Sequence, residues 1–303
     1  MRAIIFGAAG QDGSYLAEVI ADHDVKCVLT ARNGKGYEVC DVGNSKQVEV
    51  IIRAYQPDYV FHLAAKSSTR HEAIVDNQKA IVDGSLNILE AVKKHKSQCK
   101  VFLSGSALQF APSRDAILES SEMVNSSAYA AQRNASLCLS RYYREKCGIA
   151  AYMGFFFHHD SPRRGEHHLA QKIASAARRI ASGSSEKLDI YDPSAVKEWT
   201  FAGDAMRAAW LLVNQSAIHE CIIGSGVPHT IAEWASACFK VQGLDWKEHV
   251  ELHHTGSAEP VRFISRPERL KALGWSQKVT FNELARLMVN SPTPGAGNTP
   301  SQL

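Results

Sequence analysis

The chain has 303 residues, 45% of them hydrophobic and 21% charged, with 20 Gly and 10 Pro, a composition that fits a globular protein of one large or two joined domains. Its 34 basic and 31 acidic residues leave a net charge of +3, too even a balance for the phosphate-gripping surface of a nucleic-acid binder. Seven cysteines, odd in number and never spaced Cys-x-x-Cys, argue against structural zinc and a disulfide framework and for free thiols in a reducing compartment. No apolar run is long enough for a signal peptide or a membrane span, so a cytoplasmic protein without membrane contact is expected.

Along the chain, short apolar runs alternate with helical patterns. Strands are predicted at Ala3–Phe6, Lys26–Thr30, Tyr59–Leu63, Val101–Ser104 and Ala150–Phe157. A further short strand is placed just before Asp41. Helices are predicted near Tyr15–Ala21, Gln47–Tyr55, Ile81–Lys94 and Ala130–Cys147. Apolar strands separated by amphipathic helices indicate an α/β fold, a doubly wound parallel sheet of Rossmann type covered on both faces. Ligands then bind outside the carboxyl ends of the strands.

Beyond residue 160 the pattern loosens. A Pro/Arg/Gly turn at 161–165 precedes a helix near Leu169–Ala181, a strand near Leu188–Tyr191, a helix near Ala202–Val213 and a strand at Glu220–Ile223. Thr230-Ile231-Ala232-Glu233 and Thr280-Phe281-Asn282-Glu283 both read as capping boxes that start helices. The expected division is a cofactor domain over 1–160 with a return segment at about 196–224. A smaller, partly interleaved substrate domain follows over 161–289, then a disordered tail over 290–303, rich in Pro, Gly, Ser, Thr and Asn.

Gly7, Gly10 and Gly13 share the G-x-x-G-x-x-G spacing, between a strand and a helix at the N-terminus. Glycines there let the backbone, with Gln11 and Asp12, turn tightly and approach a pyrophosphate resting on the helix N-terminus. An acidic residue at the end of the second strand would favour NAD. This chain has Thr30-Ala31-Arg32-Asn33 instead, and Arg32 can pair with a 2′-phosphate, so NADP(H) is expected; a solvated arginine is the alternative. Asp41 stands where it can accept from the adenine amine, and Leu63, Ala64 and Ala65 close the fourth strand with residues that let a cofactor pass close by.

Tyr129 and Arg133 lie four apart on a predicted helix and therefore share one face. A phenol acts as acid or base near neutrality only with help, usually a neighbouring cation. Ser106, near the end of the fifth strand, is expected to hydrogen-bond the reacting oxygen of the substrate. Together the three residues suit hydroxyl-to-ketone interconversion by hydride transfer. The plainer alternative is a half-buried aromatic beside an exposed arginine.

At this point the chain resembles the GDP-mannose 4,6-dehydratase family of extended short-chain dehydrogenases/reductases along nearly its whole length. The resemblance rests on the segments at 10–18 (Gly-Gln-Asp-Gly-Ser-Tyr-Leu-Ala-Glu), 56–60, 159–165 (His-Asp-Ser-Pro-Arg-Arg-Gly), 197–204 (Lys-Glu-Trp-Thr-Phe-Ala-Gly-Asp), 208–212 and 273–275. It implies a GDP-hexose or GDP-4-keto-6-deoxyhexose as substrate, with contacts from Lys197 and from His158 and Lys172, for which simple packing and a solvated helix lysine are the respective alternatives. Lys197 stands for one diphosphate-binding arginine of the family and Arg262 substitutes for the other. It also implies a homodimer through the helices near 81–94 and 130–147.

The departures from the family fall on the chemistry. The family's Thr-Ser-Glu triplet aligns with Ser106, Ala107 and Leu108, so the carboxylate that takes the C5 proton is lost. Its Tyr-x-x-x-Lys has become Tyr-x-x-x-Arg at Arg133. The basic stretch by which neighbouring family subunits cover the cofactor is shortened, with only nine positions from Arg32 to Asp41. Three adjacent histidine pairs (158/159, 167/168, 253/254) lack metal-ligand spacing, so no metal is expected. The paired Arg178 and Arg179 read as a solvated helix face.

Three functions remain open. The first is a 4-keto-6-deoxy-sugar reductase using NADPH, slightly favoured. The second is a 4,6-dehydratase whose acid/base has moved to His158 or Asp160. The third is a silent binder of NADP(H) and a nucleotide sugar.

Overall fold

The computed structural model describes residues 1–34, 36–66, 68–253 and 262–291. The first half alternates strand and helix: β1 Arg2–Phe6, α1 Gln11–Ala21, β2 Lys26–Ala31, β3 Glu38–Val39, α2 Ser45–Tyr55 and β4 Tyr59–His62. It continues through α3 Ile74–Asn77, a π-helical segment Gln78–Asp83, α4 Gly84–His95, β5 Lys100–Ser106, α5 Ala128–Cys147 and β6 Ala151–Phe156. The seven-stranded sheet has the order β11-β6-β5-β4-β1-β2-β3, where β11 is Glu220–Ile223, and every neighbouring pair is parallel. Chain order reverses between β1 and β4, which opens a crevice at their carboxyl ends.

Burial explains why these segments are strands. All four residues of β4 and all six of β6 are buried, as continuous apolar runs in a sheet covered on both faces require. On one face Ile4, Val60, Val101 and Met153 pack with α2, α4 and α5. On the other, Ile5, Phe61, Phe102 and Tyr152 pack against α1 and the later helix Ala202–Val213.

The second half supplies β7 His159–Asp160, α6 Leu169–Ala181, β8 Leu188–Tyr191, β9 Val196–Glu198, β10 Thr200–Phe201, α7 Ala202–Val213 and then β11. Beyond it lie β12 Pro228–Thr230, α8 Ile231–Val241, β13 Val250–His253, α9 Glu268–Ala272 and α10 Phe281–Asn290. The strands outside the main sheet form two-stranded ribbons, β7 with β10, β8 with β13 and β9 with β12. A third core joins α6, α8 and α10 around Trp199 and Trp234, whose rings stack 4.3 Å apart. Thr230 and Thr280 form both predicted capping boxes.

Three expectations need correction. The helix predicted over Ile81–Lys94 is regular only from Gly84. The turns before it are wide, and a Cβ on Gly84 would lie 3.0 Å from the Val42 side chain and 3.1 Å from His62 Nε2. The first helix starts at Gln11, inside the glycine pattern, rather than near Tyr15. Arg178 is half-buried and binds the carbonyls of Val289 and Ser291, tying α6 to the end of α10, while Arg179 pairs with Glu186. The predicted tail lies almost wholly outside the described residues.

Candidate active site

The turn after β1 is built by contacts that exclude side chains. Gly7 adopts φ +93°, and a Cβ there would come 2.7 Å from the Ala64 nitrogen at the end of β4. A Cβ on Gly13 would lie 2.4 Å from the Gly7 carbonyl oxygen and 2.6 Å from Ala8 Cα. Gly10 precedes α1 and brings no capping side chain, so the N–H groups of the first turn stay open to an anion. Leu63, Ala64 and Ala65 border this turn half-buried. A glycine-lined cradle of this shape fits a dinucleotide pyrophosphate.

The side chains of the turn are held from across the crevice. Asp12 Oδ1 lies 3.0 Å from His159 Nε2 and accepts from Gln11 Nε2 at 3.0 Å. Ser161 Oγ donates to Gln11 Oε1 at 2.8 Å. Burial by itself would raise the Asp12 carboxyl, but His159 and the Gln11 amide hold it well below the usual carboxylate range. Burial likewise opposes charge on His159, and Asp12 outweighs it, so the imidazole is raised.

Arg32, just past β2, is exposed, and its charge helps lower Asp76, whose main partner is Lys66 at 3.1 Å. Asp41 is also exposed and turns Oδ1 onto the N–H of Gly43 at 3.0 Å.

On α5, Ser127 caps the helix by accepting from the N–H of Ala130, which sets Tyr129 in the first turn. Arg133 is 5% exposed and folds back beneath the phenol. Its Nε donates to Tyr129 Oη at 3.1 Å, and its Nη1 donates to Ser104 Oγ at 2.8 Å and to the Ser104 carbonyl. The exposed-arginine alternative is thereby excluded. Ser106 ends β5 opposite Phe156, and its Oγ accepts from the N–H of Leu108 at 3.2 Å, leaving its own proton free to donate. Leu108 is half-buried in the single turn that follows. At the end of β4, burial and Arg133 push His62 down to about 4. Its Nε2 faces the Ala80 carbonyl at 2.9 Å, so Nδ1 is unprotonated, and it is buried without a partner.

Beyond β6, charged groups gather around a buried carboxylate. Asp160 is 1% exposed and neither oxygen has a hydrogen-bond partner; His158 Nδ1 stands 3.2 Å away and Arg164 Nε 3.5 Å away. His158 Nδ1 donates to the Glu198 carbonyl at 2.9 Å, and burial pushes the imidazole down to about 4. Lys197 is lowered by burial against the pull of Asp160. Lys172 is exposed on α6 and Arg262 is exposed near the Ser113 backbone, and neither has a hydrogen bond to this group. Sequence reasoning brought Tyr129, Arg133, Ser106, His158 and Lys197 forward. It assigned no role to Ser104 or His159, whose partners lie 29 and 147 positions away.

Among the described residues, Asp189, Glu251 and His253 bring ligand atoms within 4.8 Å of one another, but His253 already bonds Asp189 at 2.7 Å. His254 lies outside the described residues. No helix among them is long and apolar enough to cross a membrane.

A glycine turn at the switch point of this parallel sheet marks a Rossmann fold of the dinucleotide-binding type. Residues 4–288 match the family model described as GDP-mannose 4,6 dehydratase, and the chain belongs to that family. GDP-mannose 4,6 dehydratase 1 of Arabidopsis thaliana is 28% identical over 95% of this chain and 88% of its own length. GDP-mannose 4,6-dehydratase of Vibrio cholerae is 26% identical over 95% and 92%.

Solved structures show the same fold. UDP-glucose 4-epimerase of Thermus thermophilus, in complex with NAD, superposes with a TM-score of 0.82 at 24% identity, covering 96% of this chain and 98% of that one. RMD from Pseudomonas aeruginosa, complexed with NADPH, gives 0.83 at 19% identity, covering 95% and 97%.

Proposed function

We propose that the protein holds NADP(H) on the turn of Gly7, Gly10, Gln11, Asp12 and Gly13 and acts at C4 of a GDP-linked hexose, favouring reduction of a 4-keto-6-deoxy sugar. Family membership supports the nucleotide-sugar substrate. Arg32 supports the 2′-phosphate, with Asp41 toward the adenine and Leu63, Ala64 and Ala65 along the cofactor's path. Bound nicotinamide supplies the hydride.

One observation carries the reading: Arg133 donates to Tyr129 Oη, so the phenol's own proton is free to point at a substrate oxygen. Ser106 offers a second donor to the same oxygen. A ketone accepting hydride needs a proton at that oxygen and no base at C5. Leu108, where the family's catalytic Glu aligns, is therefore no obstacle to this chemistry. His158 and Lys197 line the sugar and diphosphate side, with Lys172 and Arg262 as further contacts.

The second reading, a 4,6-dehydratase, is favoured by one feature. His158 donates through Nδ1 to a carbonyl, which leaves Nε2 unprotonated and able to act as a base. Leu86 and Tyr142, 40% and 56% exposed on α4 and α5, support a homodimer through those helices.

The test uses two reactions. NADPH loss with GDP-4-keto-6-deoxymannose supports the reductase, and ketosugar formation from GDP-mannose with NADP⁺ supports the dehydratase. Tight binding without either change means a silent binder.

A further inference from the structure

His159 meets an acceptor at each ring nitrogen. Nδ1 lies 2.8 Å from the Phe157 carbonyl oxygen and Nε2 lies 3.0 Å from the Asp12 carboxylate. The carbonyl can only accept, and so can Asp12, which is held ionised, so both nitrogens carry hydrogen and the ring is an imidazolium. Its side chain is only 11% exposed. A cation is thus held against the glycine turn.

Asp12 lies in the first turn of α1, among the N–H groups that an anion would use. A free carboxylate there repels a pyrophosphate and competes with it for the same donors. Two further bonds run beside the pair: Ser161 Oγ donates to Gln11 Oε1 at 2.8 Å, and Arg163 Nη1 donates to Ser14 Oγ at 3.0 Å.

We propose that His159 is a positioning residue for the dinucleotide: paired with Asp12, it cancels a carboxylate charge lodged where the pyrophosphate is to lie. The inference rests on the proposed cofactor site and adds to it a residue from the opposite wall of the crevice. Other charges facing His159 are few. Arg164 follows in the same segment and disfavours its protonation, and His158 and Asp160 flank it. The adjoining β10 contributes Thr200 and Phe201, which do not titrate, and Asp204 of α7 is spent on Arg207 and the N–H groups of Lys278 and Val279.

Charge cancellation and simple bracing predict different variants. Under cancellation, His159→Asn strands a bare carboxylate and weakens NADPH binding about tenfold, within the usual range of coupling between sites. Asp12→Asn removes the repulsion, so it weakens NADPH binding far less than His159→Asn does. The double variant Asp12→Asn/His159→Asn returns to within about threefold of the unaltered protein. A mere brace is broken equally by either single substitution.

NADPH fluorescence titration reads the affinities, and melting curves confirm that each variant is folded. As pH rises past the range where the cofactor's 2′-phosphate titrates, affinity of the unaltered protein falls as His159, whose proton Asp12 holds above the ordinary imidazole range, loses that proton. The Asp12→Asn protein stays flat, and this comparison decides the matter even if His159→Asn fails to fold. Asp12→Asn weakening NADPH as much as His159→Asn, or a flat profile in the unaltered protein, overturns the inference alone. Failure of the unaltered protein to bind either NADPH or NADH overturns the cofactor site and the inference with it.

Discussion

Arg133 Nη1 donates to Ser104 Oγ at 2.8 Å, a bond that runs from α5 to β5 beneath the phenol of Tyr129. The guanidinium is thereby fixed to the sheet, and its Nε is aimed at the phenol. Ser104→Ala removes a hydrogen bond to a buried charged group, worth about 1.5–3 kcal/mol. Denaturant unfolding should record that loss, and kcat should fall more than KM for NADPH rises. Unchanged stability would mean that the Ser104 carbonyl alone holds the arginine.

Tyr129→Phe deletes the proton carried to the substrate oxygen while keeping the ring. Turnover of the ketosugar should drop by about 10²- to 10⁴-fold, with NADPH affinity held within about threefold. A smaller loss in single-turnover measurements would assign the proton transfer to Ser106 or to water.

Leu108→Glu with Arg133→Lys supplies the carboxylate and the ammonium that the resemblance to the family implies for these two positions. This double variant should gain ketosugar formation from GDP-mannose with NADP⁺ by at least about tenfold, the low end of what a positioned acid/base supplies. Absence of any gain would show that the substrate is no longer held with C5 near position 108.

Arg32→Asp replaces the exposed cation after β2 by a carboxylate, which repels a 2′-phosphate and accepts from a 2′-hydroxyl. The ratio of NADPH to NADH affinity should fall by at least about tenfold, the worth of one charge-assisted contact. An unchanged ratio would remove Arg32 from the cofactor site.

His62 titrates at about 4 in the folded chain, below its ordinary 6.5, mainly through burial and secondarily through Arg133. As pH falls below about 6.5 the unfolded chain takes up this proton first, so stability present at neutral pH is lost progressively toward pH 4. The slope from this group approaches about 1.4 kcal/mol per pH unit. His62→Gln, which can still donate to the Ala80 carbonyl, should flatten unfolding free energy against pH by a comparable amount. A slope unchanged by the substitution would place the acid sensitivity elsewhere.

The parallel sheet was legible because the central residues of β1, β4, β5 and β6 are buried on both faces and are mostly apolar. The capping boxes at Thr230 and Thr280 were legible because each closes within four residues. The ribbon strands β7, β9, β10 and β12 were not. At two or three residues each they carry no periodicity, and tertiary pairing alone makes them strands. The site divided the same way. Tyr129 and Arg133 announce each other by helical spacing, whereas Arg133 with Ser104 and His159 with Asp12 meet only once the sheet has brought their segments together.

Strand β11 and helix α7 return to the main sheet after the chain has already laid down α6 and β8. A fragment ending near residue 160 would leave β6 as an unpaired border and uncover Phe61 and Phe102, inviting strand addition between molecules. The first half is therefore not a separable module, and its expression alone should yield aggregate.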